Sequence, residues 1–149
     1  MATTRQTLSA RTSLTSASFP TLASATYCVS SAYNASINEP QDVIVEVACA
    51  TTNVPAGNKQ VVVFVKESLD GTNFRSGPES GTAATDEPNL RVLGTVPMNS
   101  TTTIQQGTFS VTNALGYCPD QFKIVCKNDL GVALTSGALY TSEVVFTSV

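Results

Sequence analysis

The sequence predicts an all-β chain: a two-sheet antiparallel β-sandwich, immunoglobulin-like or jelly-roll, with an extended N-terminal arm. Three observations predict it. About seven short segments are rich in β-branched residues or alternate apolar with polar side chains. Clusters of Gly, Pro, Asn and Asp separate them. No segment carries a helical period. Spacing of this kind suits two packed sheets.

The segments follow in chain order. Residues 1–23 are dominated by Ser, Thr and Ala, with isolated Leu8, Leu14, Phe19 and Leu22. These fit neither a period of two nor one of 3.6. The segment is expected to be an arm that gains order only against a partner or against its own domain, the sandwich at 24–149. Thr26 to Tyr33 is a first strand, ended by Asn38-Glu39-Pro40. Asp42 to Thr51 is a better one, with Val43, Val45, Val47 and Cys49 on one face. Pro55-Ala56-Gly57-Asn58 marks a hairpin loop.

Lys59 to Phe74 is the strongest element. Val61 to Val65 is apolar on both faces, as befits a central strand covered above and below. Lys66 and Glu67 are expected where the strand emerges into water, before an Asp70-Gly71 turn. Arg75 to Asn89 contains Gly77-Pro78, Gly81 and Pro88 and reads as a long exposed loop, where binding often sits. Strands are expected at 90–96, 101–111, 121–127 and 139–146. In the third of these, Phe122, Ile124 and Cys126 share a face.

Composition excludes several function classes. The chain has 149 residues, 42% of them apolar, so one domain can bury a full core. Only 13% are charged, and Ser and Thr fill the gap. Residues 1–38 contain Arg5, Arg11 and no acid; the remainder carries six basic and eleven acidic residues, for −3 overall. An acidic body and two sparse arginines do not make a nucleic-acid reader. No apolar run is long enough to span a membrane. The first residues lack the apolar core of a signal peptide, and although their Arg- and Ser-bearing composition matches a transit peptide, a docking arm accounts for it equally.

His is absent, which removes the side chain most used for proton transfer near neutral pH and the commonest zinc ligand. The acids Asp70, Asp86 and Glu87 read as solvated loop residues, since no EF-hand ligand run surrounds them. Ser and Thr lack a base, and no glycine-rich phosphate loop occurs. No catalytic, cofactor or metal residue is expected, and no small-molecule substrate. Cys49 and Cys126, on the apolar faces of their strands, resemble the bridge between immunoglobulin sheets, but two buried free thiols are the reading preferred over that possible disulfide. Trp is absent, and Ile124 stands where a tyrosine corner would place its Tyr. The pairing of Cys28 and Cys118 is not readable.

Ser68-Leu69-Asp70-Gly71-Thr72-Asn73-Phe74 after an apolar strand is similar to a turn of tailed-bacteriophage virion proteins. The texture around it resembles the same group: a Ser/Thr arm, Pro40 to Val47, Gly57 to Val61, Gly77-Pro78, Asp86 to Leu90 and Lys123 to Asn128. The resemblance implies a small β-sandwich structural protein with no catalytic residues, most like a head decoration (cement) protein on the outer capsid surface. Implied partners are the major capsid protein and further copies in a dimer or trimer. A tail, neck or receptor-binding component is the alternative.

Contacts are then expected from Arg5, Leu8, Arg11, Leu14 and Phe19 of the arm and from Arg75, Asp86 and Glu87 of the loop. Deleting residues 1–23 is expected to leave the body folded while abolishing attachment.

Overall fold

The computed structural model describes residues 4–82, 87–99 and 103–148. Ten strands run in chain order: β1 (Thr4–Leu8), β2 (Thr12–Leu14), β3 (Tyr27–Val29), β4 (Tyr33–Asn34), β5 (Asp42–Ala50), β6 (Gln60–Ser68), β7 (Arg91–Pro97), β8 (Gln105–Ser110), β9 (Gln121–Asn128) and β10 (Ser136–Ser148). The short pairs β1/β2 and β3/β4 each lie along one edge of a single long strand, β10 and β9 respectively. Eight rows therefore form two sheets, all pairings antiparallel. Sheet A has the order β1/β2–β10–β5–β8, and sheet B the order β3/β4–β9–β6–β7.

The chain changes sheet at every long connection except β6 to β7, its one in-sheet link between neighbouring rows. This interleaving is the jelly roll, which decides between the two sandwich types the sequence allows.

The inner faces meet in one core. Val43, Val45, Val47 and Cys49 of sheet A pack against Val61, Val63, Val65, Phe122, Ile124 and Cys126 of sheet B. Period-two alternation places every second residue there. One side is closed by Phe109, whose ring lies so close to Gly94 and Gly107 that a methyl group on either would collide with it. A bulge beside Gly94 turns Leu93 toward the core and leaves Val92 exposed.

Residues 105–110 form a strand as expected, but Val111 starts a single helical turn, α1 (Val111–Leu115). Ser110 caps it by accepting from the Asn113 N–H at 2.9 Å, and Gly116 ends it in the left-handed region. One turn is too short to show a period.

The arm is part of the sandwich. β1 and β2 add a row beside β10, and a 3-10 turn at Phe19–Thr21 follows. Leu14, Phe19 and Leu22 are 6%, 1% and 3% exposed, all within the main core. Buried Asn128 ties the segment down by donating to the Leu22 carbonyl at 2.8 Å. The expectation that residues 1–23 can be deleted without harm to the body is therefore corrected: three core side chains would go with them.

The central strand departs from expectation at its end. Lys66 and Glu67 do not emerge into water; they are 5% and 4% exposed. The chain after the Asp70-Gly71 turn folds back, bringing Glu79 to Lys66 at 2.7 Å and Arg75 to Glu67 at 2.6 Å. The rest of this segment lies along β3: Gly81 N–H donates to the Tyr27 carbonyl at 2.8 Å and Tyr27 N–H to the Thr82 carbonyl at 3.1 Å. Leu90 then joins Tyr27, Phe64 and Val125 in a second apolar cluster on the outer face of sheet B. The part of sheet B around β6 is thus covered on both faces by its own chain, which explains why Val61 to Val65 is apolar on both, while Val92 at the β7 edge stays exposed.

Candidate interaction surface

Among the described residues, the two buried clusters occupy the sandwich interior and the outer face of sheet B, and none forms on the outer face of sheet A, which is left bare. Register fixes its membership: Leu8 stands opposite Val144, Phe146 opposite Gln6, Ser142 opposite Ile44 and Tyr140 opposite Glu46. Leu8 is 63% exposed and Phe146 55%. They are neighbours across one ladder, two residues apart along the strands, and make an apolar patch at one end of the face. Toward the other end, Ile104, Ala48, Ala138 and Tyr140 line a shallow hollow with Arg11.

Arg11, at the rim of this hollow, pairs with Glu46 beside it. Their side chains meet at 2.7 Å, and the Arg11 guanidinium lies 3.9 Å above the Tyr140 ring. Half-exposed contacts of this kind are each worth about 0.5–1 kcal/mol at most. Their effect is to hold the arginine flat, so that its stem and the tyrosine ring extend the apolar surface. The face carries little net charge and is cheaply desolvated.

The residues expected to make contacts are thus divided. Leu8 and Arg11 lie on the bare face. Arg5 stands on β1 opposite Thr147, at the exposed end of the same edge. Leu14 and Phe19 are core residues, and this corrects their assignment to an interface: their apolar surface is already used inside the sandwich. Arg75 is the counter-ion of Glu67. Asp86 lies outside the described residues. Glu87 accepts from the Tyr27 hydroxyl at 2.7 Å and from Lys127 at 3.1 Å, on the far side of the molecule from the bare face. The arm and the described parts of the loop, 75–82 and 87–89, therefore serve opposite sheets. Phe146 was not foreseen as a contact residue, because its place beside Leu8 depends on pairing between the two ends of the chain.

The Tyr27–Glu87 contact has a consequence for pH. Burial and the adjacent carboxylate push the Tyr27 hydroxyl up to about 12. The unfolded chain releases that proton near pH 10, so the unfolded state binds fewer protons above this value and stability falls as pH rises from about 10 to 12. Urea midpoints measured at pH 8, 10 and 11 should decline over the last step. Tyr33 and the buried Cys49 thiol are also pushed up and add to the decline; Tyr27→Phe should lessen it, and an unchanged slope would remove Tyr27 as one of its sources.

The immunoglobulin-like bridge is absent. Cys49 and Cys126 are both buried and both free. The Cys49 thiol donates to the Met98 sulfur at 3.5 Å, and burial pushes it up to about 12. Cys126 faces Cys28 on its own sheet instead. Among the described residues, no group of three or more acidic or sulfur ligands is placed to hold a metal ion.

No family model matches this chain, and no curated protein matches it. Among solved structures, it is similar to the infectious bursal disease virus Gt strain at 14% identity, over 99% of this chain and 40% of that one, with a TM-score of 0.13. A mutant VP2 protein of infectious bursal disease virus, from T=1 particles, gives 10% identity over 98% of this chain and 38% of that one, also with a TM-score of 0.13. The chain spans about two fifths of the length of these structures. At such TM-scores neither similarity bears on fold or function.

Proposed function

We propose that this chain is a non-enzymatic structural protein of a tailed-phage virion that binds the outer surface of the head and stabilises it. In this reading the outer face of sheet A lies against the major capsid protein, and symmetry-related copies repeat the contact. The observation that carries it is the contrast between the two sheets. One outer face is covered over β3, β9 and β6 by 75–82 and Leu90, leaving Val92 at its β7 edge, while the other presents the neighbouring pair Leu8 and Phe146 to solvent. A low-charge, hydroxyl-rich face loses little on desolvation, and repetition over a symmetric shell turns a modest contact into tight attachment. The turn at Ser68 to Phe74 and its surroundings, which resemble phage virion proteins, supply the link to a capsid.

The test is add-back to virus particles lacking the chain. Wild-type protein should pellet with heads, and immunogold should label them evenly. Leu8→Asp with Phe146→Asp should reduce attachment at least ~100-fold, as expected for two anchors of about 2 kcal/mol each. Both positions are exposed, so the melting temperature should move little. Label confined to tail or neck would discard the head role, and attachment that survives both substitutions would discard the bare face as the contact.

A further inference from the structure

We propose that Cys28 and Cys126 form a latent cross-strand disulfide, which a small-molecule disulfide such as oxidised glutathione closes. The two residues are direct partners in the antiparallel β3–β9 ladder. Ser30 N–H donates to the Ile124 carbonyl at 2.8 Å and Asn128 N–H to the Thr26 carbonyl at 3.1 Å, two residues to either side. By the alternation of the ladder, Cys28 and Cys126 are then a hydrogen-bonded pair with Cα atoms about 5.5 Å apart, inside the Cα span of a disulfide, and the Cβ atoms of such a pair must close by about 1 Å for the bridge to form. Both side chains point into the core, both are fully buried, and both are free. Pairing with Cys126 holds the Cys28 thiol below its usual value, while Cys28 and burial push the Cys126 thiol up.

The asymmetry sets the order of steps. The Cys28 thiolate attacks one sulfur of oxidised glutathione, forming a mixed disulfide and expelling one glutathione thiolate. Cys126 loses its proton and attacks the Cys28 sulfur, expelling the second. Two protein thiols are oxidised, one glutathione disulfide is reduced to two thiols, and one sulfur–sulfur bond replaces another. Access requires local opening, and β3 suits it: the strand has three residues, and its outer edge is held by short contacts from Ser80, Gly81 and Thr82 rather than by a further strand. Closure ties this row to β9 across nearly a hundred residues of intervening chain, where the entropic gain from a cross-link is large.

The experiment uses the purified full chain, incubated with oxidised glutathione or with dithiothreitol, then alkylated and mapped by mass spectrometry. The oxidised protein should be lighter by two hydrogens, with one peptide pair joining Cys28 to Cys126 and with Cys49 and Cys118 alkylated. Its melting temperature should exceed that of the reduced form by about 10 °C. Cys118→Ser should preserve both results and Cys28→Ala should lose both. If Cys28→Ala fails to fold, the peptide map of the unmutated chain decides alone. Glutathione fixed only on Cys118, a Cys49–Cys126 bridge, or equal melting of the two forms would overturn the proposal.

Discussion

A chain lacking residues 1–23 should fail to fold cooperatively. Leu14, Phe19 and Leu22 are among the side chains filling the main core. Fully burying each contributes about 1.5–3 kcal/mol, so their joint loss is of the order of the whole stability of a typical domain. The truncation also strips the β1/β2 row from β10, exposing a long unpaired edge that invites aggregation. Near-UV circular dichroism and thermal melting check this directly. A sharp transition within a few degrees of the full chain would mean that the sandwich closes without its first row. Removal of residues 1–8 alone should be far milder, because Leu8 is exposed and all three core residues remain.

Arg75→Ala should destabilise the protein by about 2 kcal/mol or more, well beyond an ordinary surface ion pair. The reason lies in Glu67. Its side chain is only 4% exposed, one oxygen is held by Arg75 at 2.6 Å, and the other has no hydrogen-bond partner. Removing the arginine strands a buried carboxylate, for which about 3–5 kcal/mol is usual; the cost is smaller here because the Arg75 side chain is 46% exposed and partly screened. The opposite change should behave differently. Glu67→Met removes the uncompensated oxygen at similar volume and should be neutral or stabilising, and it should rescue Arg75→Ala. Urea midpoints for the two single variants and the double variant complete the cycle. An Arg75→Ala cost below ~0.5 kcal/mol would show that the carboxylate finds compensation without its partner.

The sandwich was legible in the sequence because its central strands report their surroundings locally. Val43, Val45, Val47 and Cys49 alternate because one face is core, and Val61 to Val65 does not because both faces are covered. What covers the second face was not legible. Lys66 and Glu67 look like a strand leaving the protein, since nothing local announces that Glu79 and Arg75 will fold back over them. The arm misled for a related reason. Leu14, Phe19 and Leu22 reach the core from a strand end, a 3-10 turn and an irregular stretch, which share no period. The choice between immunoglobulin-like and jelly-roll order rests on which distant rows pair, and short strands do not encode register beyond their own turn. The same holds for the candidate surface, where Leu8 could be singled out but its neighbour Phe146 could not.

The β1–β10 ladder sets Thr4 directly opposite Ser148. Both ends of the described chain therefore meet at one corner. A short glycine-serine bridge between them would make a ring without disturbing any row, and the ring could be reopened at the exposed turn around Val54. The rearranged chain would keep every pairing while moving its ends away from Leu8 and Phe146. A passenger protein fused there would project clear of the bare sheet, whereas one joined beside Thr4 or Ser148 would emerge next to it.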